Sequence, residues 1–246
     1  NTHVICLFPI AHTRIDEVMN IIKKHSNIFY RSSAMLNSTG QLGLMKEIYL
    51  KDGWANEHGI QRKSDQCFMG NSKVTFVLVD AKNLETVQKM KNKIRALFNV
   101  GNHSVHINDT HEETIRISKT VFNDNSIHFL NNRKTVIFPN YHKLMSAMKP
   151  DDNTVITGST ILSLYGLRDC KDIDLIYYKN APVDSHNQYL KRQYRLTLDD
   201  IINNPLYHLY YNGFKYVSLE VIKNMKKVRN EQKDIIDVGL IEGIKT

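Results

Sequence analysis

The stretch TVITGSTILSLYGLRDCKDIDLIYY, residues 154–178, decides how this chain is to be read. Thr154 to Thr157 predicts an apolar strand, Gly158-Ser159 a sharp corner, and the residues through Leu167 a short helix. A basic turn, 168–171, leads into a second strand that opens on Asp172-Ile173-Asp174. Alternation along that strand sends Asp172 and Asp174 to one face and Ile173 into the core. Two carboxylates so placed repel each other unless a cation sits between them, which points to a hard divalent ion. Gly158 admits a tight turn and close approach of a ligand, and the N–H groups opening the next helix can hold phosphate oxygens. A phosphate cradle facing paired acids is the minimum equipment for metal-assisted phosphoryl or nucleotidyl transfer. The bland alternative is an edge strand with solvated acids beside a capped helix.

Asp172 comes thirteen residues after Ser159, and the tail YVSLEVIKNMKKVRNEQKDIIDVGLI, 216–241, follows at a distance. Gly-Ser followed by Asp-x-Asp at this spacing resembles the signature of the DNA polymerase β-like nucleotidyltransferase superfamily. The tail is similar to the helical segment after the core in small bacterial nucleotidyltransferase-like proteins. The resemblance is confined to roughly the last hundred residues. It implies a nucleoside monophosphate moved from an NTP to a hydroxyl or phosphate acceptor, releasing pyrophosphate. Asp172 and Asp174 would be the catalytic pair and hold Mg²⁺ or Mn²⁺. Gly158, Ser159, Arg168, Lys171, Lys226 and Lys233 would face the triphosphate, with Arg168 acting as a planar fork. The acceptor would be anionic: a nucleotide, sugar phosphate, glycan or nucleic acid.

One departure from that pattern matters. The family takes a third carboxylate from the strand after the Asp-x-Asp hairpin, whereas this chain has YHLYY, with His208 or Tyr210 in the expected place. Glu220, Asp234 or Asp237 would have to supply the charge, or His208 would complete the site, with its imidazole pKa raised by two facing aspartates. The other class of function is a degenerate core serving as a nucleotide-binding or interaction module, within a larger glycan-assembly or defence protein.

Composition sets the bounds. The 246 residues, 41% hydrophobic and 24% charged, suit an α/β protein of one large or two small domains. A net charge of +8 favours an anionic partner. No apolar run approaches the ~20 residues that span a bilayer, and three scattered cysteines suit reduced thiols in the cytoplasm. The opening Asn1 suggests a piece of a longer polypeptide.

An α/β domain of unassigned role is expected over 1–132 and a transferase-like α+β domain over 133–246. Alternating strands and helices in the first predict neighbouring parallel strands. Residues 51–72, around Trp54, predict a long polar loop. Thr110 to Glu113 fits a capping box. His103 and His106 should fall on opposite faces of a strand 103–108, arguing against a shared metal. Lys91 and Arg95 with the 103–111 segment predict an anion pocket at a helix N-terminus. In the second domain, strands are expected at 134–138 and around the Asn212-Gly213 hairpin turn. A helix is expected near Tyr189 to Ile202, and Ser218 should cap the helix that follows the hairpin. Tyr207, Tyr210, Tyr211, Phe214 and Tyr216 offer either base stacking or plain sheet packing.

Overall fold

The computed structural model describes residues 1–136 and 138–244. The chain is a mixed α/β protein that divides into two compact units, Asn1–Phe122 and Asn123–Thr246. The division therefore falls before the expected 132/133 position.

The first unit runs β1 (Thr2–Leu7), α1 (Ile15–His25), β2 (Ser26–Met35), α2 (Ser38–Ile48), α3 (Glu57–Phe68), β3 (Lys73–Ala81), α4 (Leu84–Ala96), β4 (Val105–Ile107) and α5 (His111–Val121). Its sheet has the order β2-β3-β1-β4, and every pairing in it is antiparallel. The expectation of neighbouring parallel strands is thus overturned. Each β-α-β crossover is split: β3 lies between β1 and β2, and β1 lies between β3 and β4. This is the split, ferredoxin-like arrangement. A helical spacing between two strands makes them parallel, but it does not make them neighbours.

One face of the sheet (Ile5, Leu7, Val77, Val79, Val105, Ile107) buries Val18, Met19 and Ile22 of α1 and Val87, Met90 and Ile94 of α4. The alternate residues Val4, Cys6, Val74 and Phe76 are buried as well. The predicted loop 51–72 contains α3, which is polar outside but keeps Ile60, Cys67 and Phe68 buried. The Asn56 side chain caps α3 by accepting from the Gly59 N–H at 2.9 Å. The Thr110–Glu113 capping box forms as expected and starts α5.

The second unit runs α6 (Asp124–Asn132), α7 (Pro139–Ser146), β5 (Thr154–Thr157), α8 (Thr160–Leu164), β6 (Asp174–Tyr177), α9 (Leu198–Asn203), β7 (His208–Tyr211), β8 (Phe214–Val217), α10 (Leu219–Arg229) and α11 (Gln232–Glu242). The sheet order is β6-β5-β8-β7, with β5 and β8 parallel and the other pairs antiparallel. Of the strand expected at 134–138, residues 134–136 and 138 take no regular structure, and Ile137 lies outside the described residues. The helix expected from Tyr189 to Ile202 is broken into a 3-10 turn (His186–Tyr189), a π turn (Leu190–Tyr194) and α9. Arg195 turns left-handed (φ 55°), and Thr197 with Asp200 forms a fresh capping box that restarts the helix. The Asn212-Gly213 hairpin is formed, with Asn212 at φ 51°. Its aromatics pack: Tyr211 and Tyr216 are buried, and the Tyr211 ring lies 5.2 Å from the Arg133 guanidinium. Ser218 opens α10 but makes no capping bond with its side chain.

Candidate functional site

In β5 and β6 the antiparallel register sets Thr157 opposite Asp174, so both side chains project from one face of the sheet. Gly158 follows at φ 66°, and a Cβ built there would lie 1.9 Å from Asp174 Oδ2. The corner is therefore glycine for two reasons, its left-handed backbone and the carboxylate against it. Asp172 precedes β6 instead of opening it, so strand alternation does not govern it. Even so, Asp172 and Asp174 line one cavity of about 540 Å³, together with Gly158, Ser159, Arg168, Lys171, Lys226, Lys233 and Asp237. The helix after the corner, α8, has five residues, so a strong terminal dipole is not available to a bound phosphate.

The opposite wall is built by α10 and α11. Asn230 caps α10 in the left-handed conformation and lets α11 fold back against it. Asp234 and Asp237, one turn apart on α11, then face the cations of α10. Arg168 donates two bonds to Asp237, at 2.6 and 2.7 Å, and Lys226 reaches Asp237 at 2.6 Å and Asp234 at 3.1 Å. Arg229 donates two bonds to Asp234, at 2.8 and 2.7 Å. The side chains of Lys226, Asp234 and Asp237 are at most 2% exposed. Burial opposes the charge on Asp234, yet the bonds from Arg229 and Lys226 hold its pKa down at about 2. Burial likewise opposes the charge on Asp237, and the bonds from Arg168 and Lys226 hold its pKa below the ordinary carboxylate value.

This network revises several expectations. Asp234 and Asp237 are committed to cations, so neither is an uncommitted third carboxylate. Lys226 is sealed inside the network and Arg168 is half committed to it, which leaves Lys171 and Lys233 as the accessible ammonium groups. Glu220 lies in another cavity, beside His128 and Tyr165, and pairs with Lys223 at 2.5 Å. His208 is corrected most sharply. Its strand, β7, is at the sheet edge opposite β6, and its Nδ1 bonds the Ile201 carbonyl at 2.9 Å. Burial lowers its pKa to about 4, the reverse of the expected rise. Facing the core instead of the acids, the ring has no carboxylate to stabilise its proton.

The residue missed in the sequence is His186, whose Nε2 lies 3.0 Å from Asp174 Oδ1. It comes from the polar segment after β6, where no spacing rule would have singled it out.

The first unit holds its own cavity, about 760 Å³, lined by Tyr49, Trp54, Arg62, Lys63, Lys91, Arg95, Asn102, His103 and His106 among others. The predicted Lys91, Arg95 and 103–111 grouping is brought together here. His103 precedes β4, so alternation does not separate it from His106, and both line this cavity. Lys63 bonds Asn102 Oδ1 at 2.8 Å and His103 Nδ1 at 3.2 Å. His106 Nε2 and Arg95 Nε are sealed from solvent without a hydrogen-bond partner. Burial, then the charges of Lys91, Lys63, Arg95 and Arg116, push the His106 pKa down to about 3. The N-terminus of α5 is already taken by Glu113, so cations, not the helix end, give this cavity its field.

Among the described residues no three His, Cys, Asp or Glu side chains form a metal-holding group, and no helix is long and apolar enough to cross a membrane. All three cysteines are buried and free.

No protein-family model matches the chain, and no curated protein does either. Among solved structures, it is similar to the nucleoside diphosphate kinase of Aquifex aeolicus at 15% identity and a TM-score of 0.34. That match covers 48% of this chain and 92% of the other. It is also similar to the nucleoside-diphosphate kinase of Borrelia burgdorferi, solved with vanadate and ADP, at 14% identity and a TM-score of 0.31, covering 58% and 95%. Likeness at this level carries no conclusion about activity.

Proposed function

We propose that the second unit is a metal-dependent nucleotidyltransferase core acting on an NTP and an anionic acceptor. The observation that carries this is the single cavity in which Gly158, Ser159, Asp172 and Asp174 meet a wall of basic side chains. The two carboxylates lining this cavity are hard oxygen donors, a donor chemistry that fits Mg²⁺ or Mn²⁺. A bound divalent ion would offset charge on the phosphates and polarise the attacked phosphorus. Gly158 lets phosphate approach the backbone closely. Lys171, exposed at the cavity, meets the triphosphate charge directly. Arg168 is orientated by two bonds to Asp237 and a third from Nη1 to the Asp169 carbonyl at 2.9 Å, and lines the cavity in that fixed orientation. The network on α10 and α11 keeps these groups in fixed geometry, which limits reorganisation when a polyanion binds.

The test is transfer of label from each α-labelled NTP, with Mg²⁺, to a panel of hydroxyl and phosphate acceptors, alongside equilibrium binding of a non-hydrolysable NTP. Binding with transfer supports the enzyme. Metal-dependent binding without transfer supports the degenerate module, which the lack of an uncommitted third carboxylate favours. Absence of both refutes the site.

A second role is favoured by His106. A sealed, unpartnered Nε2 in a cavity lined by Lys63, Arg95 and Lys91 suits a phosphate-bearing ligand in the first unit. Trp54, the single tryptophan, lines that cavity and would report binding of pyrophosphate by a change in fluorescence. A bound anion would also raise the depressed His106 pKa, visible by NMR. A flat fluorescence titration with an unmoved pKa would remove this role.

A further inference from the structure

We infer that His186 is the positioning residue for Asp174, locked in one tautomer by Tyr194 and Thr157. The inference rests on Asp174 being a metal-holding carboxylate. His186 Nε2 lies 3.0 Å from Asp174 Oδ1, His186 Nδ1 is 2.8 Å from the Tyr194 hydroxyl, and that hydroxyl is 2.8 Å from Thr157 Oγ1. Thr157 is fully buried and Tyr194 is 4% exposed, so the bond between them does not compete with solvent.

Proton counting fixes the roles. An ionised carboxylate only accepts, so with a neutral ring Nε2–H donates to Asp174 and Nδ1 must accept. The Tyr194 hydroxyl therefore donates to Nδ1, and its oxygen accepts from the Thr157 hydroxyl. Every group in the chain is satisfied once in this direction. Because Thr157 and Asp174 stand opposite each other in β5 and β6, the relay leaves one strand and returns to the other at the same register.

The consequence falls on the two oxygens of Asp174. Oδ1 is held by the imidazole, and Oδ2 is packed against Gly158, where an added Cβ would lie 1.9 Å from it. The carboxylate plane is thus set from both sides, by His186 and by Gly158, before any ligand arrives. A partner that orientates a ligating carboxylate in this way typically changes metal affinity by about 10–100-fold when removed.

Mn²⁺ binding to the full chain, followed by EPR with a non-hydrolysable NTP present, reads this directly. His186→Ala is expected to weaken Mn²⁺ about 10–100-fold. His186→Gln, whose amide can still donate to Asp174, should recover most of the loss. Tyr194→Phe, which keeps the buried ring but releases the tautomer, should weaken Mn²⁺ by a smaller factor. A role in packing alone would lower the melting temperature of these variants and leave the Mn²⁺ affinity where it was. Wild-type affinity in both His186→Ala and Tyr194→Phe overturns the inference while leaving the proposed core intact. Failure of the wild-type chain to bind Mn²⁺ with NTP overturns both.

Discussion

One cavity in each unit is rich in cations, yet the two treat them in opposite ways. In the second unit Arg168, Lys226 and Arg229 are bound to Asp234 and Asp237, and the innermost members of the set are almost wholly sealed. In the first unit Arg95 and His106 have buried nitrogens without partners, and Lys63 leans on neutral groups. Counting basic residues therefore says little about which are free to meet a ligand. A cation already paired in the interior supports structure, whereas one left with unmet hydrogen-bonding capacity stores affinity for an anion.

The sharpest way to break this contrast is to remove one partner on each side. Asp237→Asn removes the counter-charge that Arg168 and Lys226 share and should destabilise the second unit by about 3–5 kcal/mol. Arg95→Gln in the first unit removes a guanidinium whose buried Nε has no partner and should move stability by less than about 0.5 kcal/mol. Circular dichroism follows the whole chain, and Trp54 fluorescence follows the first unit. A loss below about 1 kcal/mol for Asp237→Asn would mean the network is solvated and that the contrast fails. Because the Asp234 and Asp237 pKa values are depressed, their contribution should be complete above about pH 4. It should fade as pH falls toward 2.

Two glycines test whether the two sites are built with equal tightness. Gly158 and Gly101 have similar left-handed backbones, at φ 66° and 61°. A Cβ at Gly101 would meet nothing nearer than His103 Cδ2 at 4.0 Å, while one at Gly158 strikes Asp174. Gly101→Ala should cost only the backbone strain, about 1 kcal/mol, and Gly158→Ala about 2–3 kcal/mol with loss of NTP binding. Equal melting temperatures for the two variants would show that Asp174 moves aside without penalty.

His208 in the second unit and His106 in the first sharpen the comparison through pH. Both pKa values are depressed, to about 4 for His208 and about 3 for His106. The unfolded chain therefore binds more protons below the ordinary histidine value of 6.5, so stability is full above pH 6.5 and declines as pH falls. The slope is at most about 1.4 kcal/mol per pH unit for each group. His208→Asn should flatten the decline in the second unit. Pyrophosphate should lessen it in the first unit and leave the His208 share unchanged. A pH-independent melting temperature between 6.5 and 5 would contradict both assignments. The smallest effect belongs to Lys233→Ala: the side chain is 64% exposed and bridges Glu231 at the surface, so stability should shift by no more than about 0.5 kcal/mol. Any larger change would place Lys233 inside the network.

Local chemistry was legible wherever a feature is settled by residues near one another in the chain. The Thr110 capping box, the Asn212-Gly213 turn and the strand–corner–helix order around Gly158 are of this kind. The spacing of Asp234 and Asp237 on α11 likewise follows from helical period alone. Sheet order was not legible, because a crossover length restricts strand direction without naming the neighbour. The split crossovers of the first unit, and β7 at the edge away from β6, follow from which faces bury each other. His208 was misread for that reason: its alternation along the strand was sound, but the strand lay elsewhere. His186 reaches Asp174 through a broken helical segment, and Lys226 is sealed by a helix that folds back through Asn230. The sequence determined which chemical groups the protein owns and which local shapes they take. Only tertiary packing decided which charges cancel, which stay free, and which histidine stands beside the acid, because those depend on burial and distance between residues far apart in the chain.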